Sequence, residues 1–289
     1  KFKNLILDCT VIFVQSKDKK MKKIIISLLV INSFLFISCG GNSSASKKNV
    51  LVSGSSSVTP LMFKLAEKFE EANTNYSVTV ETSDSTIGVQ DTISGKNDIG
   101  MASRNLKENE SPELDSYLLC QDGIVIIANN DSSIKQISEE ELYNLYIKNT
   151  AIGFISKAIS REDGSGTRSA FTDLTLIGKK EPLPNTVEIL DSTGKVKTAV
   201  NSDSSKLGYI SLGSIDDTIK PLSYKAKSQN QYVEPSVDNI KSDNYKLYRP
   251  FYIFTKKGKE MSEGTKAFLD FIDSDVGKQV INESGYVAN

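Results

Sequence analysis

From Asn49 onward, short apolar runs alternate with segments whose apolar residues recur at helical spacing, which predicts an α/β chain. Val50-Leu51-Val52 reads as a strand entering Ser53-Gly54-Ser55-Ser56-Ser57. Pro60 then suits a first helical turn, and Leu61, Met62, Leu65, Ala66 and Phe69 share one helix face. Tyr76 to Glu81 alternates as a strand, Ser85-Thr86-Ile87-Gly88 opens a short helix through Ile93, and Asp98 to Ala102 is a buried strand candidate. Gly123 to Ala128 is the most strand-like run, and Ser138-Glu139-Glu140-Glu141 caps a helix through Tyr146. Leu207 to Leu212 and Tyr252 to Phe254 predict further strands. The end is helical, with Phe268, Leu269, Phe271 and Ile272, then Val276, Val280 and Ile281. Between about 213 and 247 the pattern predicts loops and short strands only, and no repeat of 20–50 residues is visible after residue 48.

The chain before Asn49 follows other rules. Met21-Lys22-Lys23, an apolar run from Ile24 to Ile37, and Ser38-Cys39-Gly40-Gly41 make a basic head, a run too short to span a membrane, and a small residue before cysteine. This resembles the lipobox of bacterial lipoproteins, with Phe36 where that motif usually has leucine. The resemblance implies cleavage before Cys39 and acyl chains on it. We therefore expect an upstream extension outside the fold over 1–20, a signal peptide over 21–38 and a flexible tether over 39–48.

That division changes the charge balance. The whole chain has 35 basic and 36 acidic residues, but residues 39–289 keep 28 and 34 of them, a net charge of about −6. An acidic domain argues against nucleic acid as a partner. The sequence has no histidine, which removes Ser-His-Asp and Cys-His catalysis, the usual zinc ligands and the commonest general base. Of three cysteines only Cys120 would remain unmodified in the domain, and it reads as a small buried hydrophobe.

The candidate chemistry lies in hydroxyl-rich loops. Arg161-Glu162-Asp163-Gly164-Ser165-Gly166-Thr167 places two hydroxyls and a run of N–H groups where a helix begins, a ready anion site. Arg161 suits bidentate recognition of a tetrahedral oxyanion, with Asp163 placed to hold its fork. Ser55-Ser56-Ser57, Ser85-Thr86 and Ser103-Arg104 repeat the theme at two helix starts and one strand end. Each alone also fits a turn, an N-cap or a solvated surface loop; together they can converge in the crevice of an open α/β sheet.

At these positions the chain resembles the substrate-binding proteins of bacterial high-affinity phosphate ABC transporters, the Pst system. Gly54 to Pro60, Asp98 to Arg104 and Arg161 to Thr167 carry the resemblance, supported by Leu207 to Gly213, Arg249 to Ile253 and Gly285-Tyr286-Val287. It implies a two-lobed, type II periplasmic-binding-protein fold, each lobe a mixed sheet flanked by helices. The lobes would comprise 49–127 with 246–289, and 128–245. It also implies phosphate contacts from Ser57, the Val58 N–H, Ser85, Ser103, Arg161, Ser165, Gly166 and Thr167, with Asp163 behind Arg161 and Ser56 and Arg104 as additional candidates. Implied partners are phosphate, the permease subunits and, through Cys39, the membrane, with the domain on the extracytoplasmic side. We expect a monomer with no cofactor, no metal and no catalysis. Ser103 stands where some members have an aspartate that accepts the proton of hydrogen phosphate, so sulfate is an alternative ligand. A hydrolase using Ser57 or Ser165 is the remote alternative, short of a base.

Overall fold

The computed structural model describes residues 47–289, so the expectations for the leader, the tether and Cys39 lie outside the described residues. Three parallel strands come first: β1 (Lys48–Ser55), β2 (Tyr76–Ser83) and β3 (Ile99–Ala102), joined by α1 (Thr59–Ala72) and α2 (Ser85–Ser94). β1 lies between the other two, the order expected of two crossover units. Every expected apolar position of α1 is buried, and Asp84 caps α2 by accepting from the Ile87 N–H at 2.8 Å.

The chain then enters β4 (Leu114–Ala128), a 15-residue strand that absorbs both the Cys120 stretch and the expected strand at 123–128. After β5 (Gln136–Ser138) comes α3 (Glu139–Lys148), which has the expected capping box. A second parallel triad follows: β6 (Lys157–Arg161), α4 (Gly166–Thr175), β7 (Glu188–Leu190), α5 (Thr193–Ser202) and β8 (Lys206–Ser211), with β6 in the middle. The two triads have the same strand-helix-strand-helix-strand order. β9 (Lys220–Pro221), β10 (Ser223–Lys225) and the short helix α6 (Val237–Lys241) lie in the stretch expected to hold only loops and strands. The correction is α6, whose cap is Ser236 and whose Ile240 is buried. β11 (Tyr248–Lys256), α7 (Glu263–Asp273), α8 (Asp275–Glu283) and β12 (Val287–Ala288) complete the chain.

β11 and β4 run antiparallel between the triads, giving the order β2-β1-β3-β11-β4-β8-β6-β7 in one mixed, curled sheet. The apolar cores divide along it. Val52, Leu65, Phe69, Met101, Leu119, Cys120, Phe251 and Phe268 pack on the first triad. Ile124, Ile126, Tyr146, Phe171, Tyr209 and Leu247 pack on the second, whose other sheet face carries Val125, Ile127, Ile159, Val196 and Ile210. β4 and β11 thus change cores near Asp122 and Arg249. Alternation along Ile124 to Ala128 sends successive side chains to opposite faces, both covered, which is why this run is apolar throughout.

Candidate functional site

Parallel strands deliver their C-terminal ends to one edge of the sheet, and both triads turn that edge toward the same cleft. β1 ends in Ser55-Ser56-Ser57. Because α1 begins without a side-chain cap, the Ser57 hydroxyl is left to face the cleft. It lies 2.8 Å from the Thr167 hydroxyl and 3.1 Å from that of Thr193, both from the second triad. The Val58 N–H donates to the Ser55 carbonyl at 3.0 Å, and its side chain is buried in the first core. Ser85 follows the cap residue Asp84, so its hydroxyl too is spared capping duty. It accepts the Ser103 N–H at 3.1 Å, and Ser103 in turn accepts the Ser55 hydroxyl at 2.9 Å.

From the opposite side, Arg161 ends β6 and Ser165 caps α4 by accepting the Arg168 N–H at 3.3 Å. Gly166 and Thr167 therefore stand in a first helical turn, where N–H groups lack intrahelical partners and the dipole favours an anion. Gly166 has to be glycine for a steric reason. A Cβ there would sit 2.3 Å from the Ser85 hydroxyl and 2.7 Å from that of Ser103, so the helix start is pressed against two serines across the cleft. Ser56, Ser57, Ser85, Ser103, Arg161, Ser165 and Thr167 are all buried.

Two expected roles are corrected. The Arg161 fork is held by Glu162, which accepts from Nε and Nη2 at 2.8 Å each; Asp163 faces outward and pairs with Arg168 at 2.6 Å. β6 ends at Arg161, so strand alternation no longer holds past it, and Glu162 lies beside the guanidinium. Arg161 also donates to Ser56 at 3.1 Å and Thr193 at 3.3 Å. Arg104 reaches the Thr86 hydroxyl at 3.4 Å but none of the cleft serines. Glu110 takes both its terminal nitrogens, at 2.8 and 2.9 Å. Burial pushes the Glu110 carboxyl up, but Arg104 and the Lys107 N–H together hold it below the usual carboxylate range.

Two features escaped sequence reasoning. Thr193 opens α5 after Ser192, which caps the helix, and its hydroxyl meets Ser57, Ser56 and Arg161. The signal was available in Asp191-Ser192-Thr193-Gly194, which has the same hydroxyl-and-glycine character as Ser165-Gly166-Thr167. The other is a fully buried ion pair at the crossing of β4 and β11. Arg249 donates to Asp122 from Nε at 3.2 Å and from Nη2 at 3.1 Å, and to the Ser103 carbonyl at 3.1 Å. Asp122 also accepts from the Ser211 hydroxyl at 2.7 Å and the Leu212 N–H at 3.2 Å. Burial raises its carboxyl to about 6 against the pull of Arg249. Its signal was a charge set inside an apolar run.

The cleft thus concentrates donors, and among the described residues no base adjoins the Ser57 hydroxyl. The hydroxyl neighbours of Ser57 are Thr167 and Thr193, neither able to deprotonate it, and Ser165 serves as a cap. A pocket of 310 Å³ opens beside Ser56 and Thr193. A larger cavity of 710 Å³, between α3 and Lys225 to Gln229, shares no residue with the cluster.

Comparison with known proteins gives a concordant result. The family model for the PBP superfamily domain matches residues 41–276. The phosphate-binding protein PstS of Staphylococcus saprophyticus is 30% identical over 281 residues, covering 89% of this chain and 86% of that one. PstS 2 of Streptococcus agalactiae is 40% identical over 136 residues, a match spanning 45% of this chain and less than half, 44%, of that relative. Among solved structures, a phosphate ABC transporter substrate-binding protein from Clostridium perfringens, crystallised with bound phosphate, superimposes with a TM-score of 0.77 at 29% identity. That match covers 84% of this chain and all of the other. The chain belongs to the PBP superfamily and, within it, to the PstS family of phosphate-binding proteins.

Proposed function

We propose that this protein is the extracytoplasmic phosphate receptor of an ABC-type importer, binding the anion between its two triads and delivering it to permease subunits. The observation that carries the reading is the meeting of Ser57, Ser85 and Ser103 with Arg161 and the start of α4 at a single buried locus. In this reading Ser57, the Val58 N–H, Ser85, Ser103, Arg161, Ser165, Gly166 and Thr167 contact phosphate, Ser56 adjoins them, and Thr193 joins the set. The hydroxyls that now bond one another would turn to the anion, an exchange that costs little because a hydroxyl both donates and accepts. Arg104, committed to Glu110, stays outside. The lobes would meet near Asp122 and Arg249, a few residues from the expected breaks at 127/128 and 245/246; the change of cores there supports this. A lipid anchor at Cys39 would hold the domain at the membrane surface. The protein binds and releases its ligand without turnover.

Isothermal titration of the anion-stripped protein with phosphate and, separately, sulfate tests the reading. Phosphate should bind at least about a hundredfold tighter, a gap of some 3 kcal/mol. Sulfate binding as tightly would replace phosphate with a proton-free oxyanion while leaving the fold intact. One observation favours that second reading: among the described residues no carboxylate bonds Ser103, and Glu162 is engaged by Arg161.

A further inference from the structure

Contacts across the cleft fall into two sets. One consists of the groups an anion would claim: Ser57 with Thr167 and Thr193, and Ser56 with Arg161. The other sits at the rim, where the N-terminal end of α2 meets the loop before α4. There the Thr86 N–H and the Thr86 hydroxyl both donate to the Gly164 carbonyl, each at 3.2 Å. Thr86 is steadied from behind by Arg104, whose Nη2 donates to its hydroxyl at 3.4 Å.

Gly164 is fixed by its neighbour across the cleft. Its backbone is not left-handed, so alanine would be tolerated conformationally. A Cβ at this position would nevertheless lie 2.3 Å from Asp84 Oδ2 and 2.7 Å from Oδ1. The carboxylate cannot simply swing away, because Oδ1 accepts the Ile87 N–H at 2.8 Å and caps α2. Its charge has a further use. Closing the cleft brings the starts of α2 and α4 together, two ends of like partial positive charge, and an anionic side chain between them offsets the repulsion.

We propose that Thr86, Asp84 and Gly164 form a latch that holds the cleft shut independently of the anion's own contacts. The proposal rests on the reading that phosphate binds by closure. These three residues position the two triads and do not touch the ligand. Their effect is on how long the closed form lasts, and so on the rate of release. Gly164→Ala keeps every anion-binding group but can be accommodated only when the cleft opens.

The test combines phosphate titration, stopped-flow release and a distance across the cleft, measured between spin labels on the exposed sites of Glu71→Cys and Lys180→Cys. Gly164→Ala should weaken phosphate binding by about tenfold or more, mainly through faster release, with an unchanged melting temperature for the anion-free protein. Asp84→Ser keeps a capping oxygen and shortens the side chain. Added to Gly164→Ala, it should restore affinity to within about threefold of the wild type. Thr86→Val should speed release about fivefold, the value of one hydrogen bond. Wild-type affinity in Gly164→Ala, or a loss that Asp84→Ser does not rescue, would overturn the latch. If the wild type bound no phosphate, the receptor reading would fall while the latch stayed measurable. The label distance without anion would then have to be shorter in the wild type than in Gly164→Ala, and equal distances would overturn it.

Discussion

At the ends of its three strands the first triad presents Ser57, Ser85 and Ser103, whereas the second presents Arg161 with Thr167, then Thr193, then Ser211. The scaffold is the same on both sides: a central strand, two crossover helices and three strand ends turned to the cleft. The equipment differs. The first side offers neutral hydroxyls, and the second adds a guanidinium, so charge reaches the site from one direction only. Even this charge is balanced. Each of the four arginines in the chain has its own carboxylate: Arg161 with Glu162, Arg104 with Glu110, Arg168 with Asp163, and Arg249 with Asp122. An anion entering the cleft therefore meets dipoles and shared charge rather than a bare cation. Such a site can hold its ligand without making release prohibitive.

The largest effect should come from cutting the joint that the two triads share. Asp122 receives Arg249 from β11 and Ser211 and Leu212 from the end of β8, while Arg249 reaches on to the Ser103 carbonyl. Asp122→Ala leaves a guanidinium buried without its partner, which should cost about 3–5 kcal/mol of stability. Chemical denaturation of the anion-free protein reads this directly; a loss under about 1 kcal/mol would mean that the pair is not what fixes one triad against the other.

The second effect reverses the readout. Arg161 has the same side chain as Arg249 and the same depth of burial, yet its carboxylate partner is partly solvated, with Glu162 21% exposed against 0% for Asp122. Arg161→Met lets Glu162 turn to water, so stability should move by less than about 1 kcal/mol. Phosphate affinity should fall by about 2–3 kcal/mol, the value of hydrogen bonds to a charged group. If the two arginines exchanged these signatures, the division between a structural and a binding charge would be wrong.

Much of this comparison was legible before any coordinates, and the reasons differ by residue. The loops at 55–57, 85, 103 and 161–167 stood out as a set, because hydroxyls and glycines recur at three helix starts and one strand end, although each alone also fits a cap or a turn. Strands such as Gly123 to Ala128 stood out because burial on both faces demands an unbroken apolar run. The likeness of the two triads did not show as a sequence repeat, since it resides in strand order, which sequence spacing does not encode. Nor did the partner of Arg161: choosing Glu162 over Asp163 depends on which way a side chain leaves the last residue of β6. The stretch at 213–247 looked featureless because its buried residues, Ile219, Leu222, Tyr224, Ala226, Val233, Ile240, Tyr245 and Leu247, follow no single period. They fill the cores on the two faces of the second triad one at a time from loops and short elements.

The finest test of the comparison concerns Thr193, the counterpart in the second triad of Ser85 in the first. Both residues open the helix that follows their triad's second strand, and both leave capping to the residue before, Ser192 and Asp84. Thr193→Val is nearly isosteric and keeps the N–H that lies 3.4 Å from the Ser56 hydroxyl, so α5 should not unravel and the melting temperature should hold. What disappears is one hydroxyl set between Ser57 at 3.1 Å and Arg161 at 3.3 Å. If that hydroxyl turns to the anion, phosphate binding should weaken by about 1 kcal/mol, or roughly fivefold, the ordinary value of a neutral hydrogen bond. If it serves only to hold Arg161 and Ser57 in place, affinity should change much less, because Glu162 still holds the Arg161 fork and Thr167 still meets Ser57. Calorimetry resolves a fivefold change. The outcome decides whether the second triad contributes to the ligand from one strand end, as its single charge suggests, or from two.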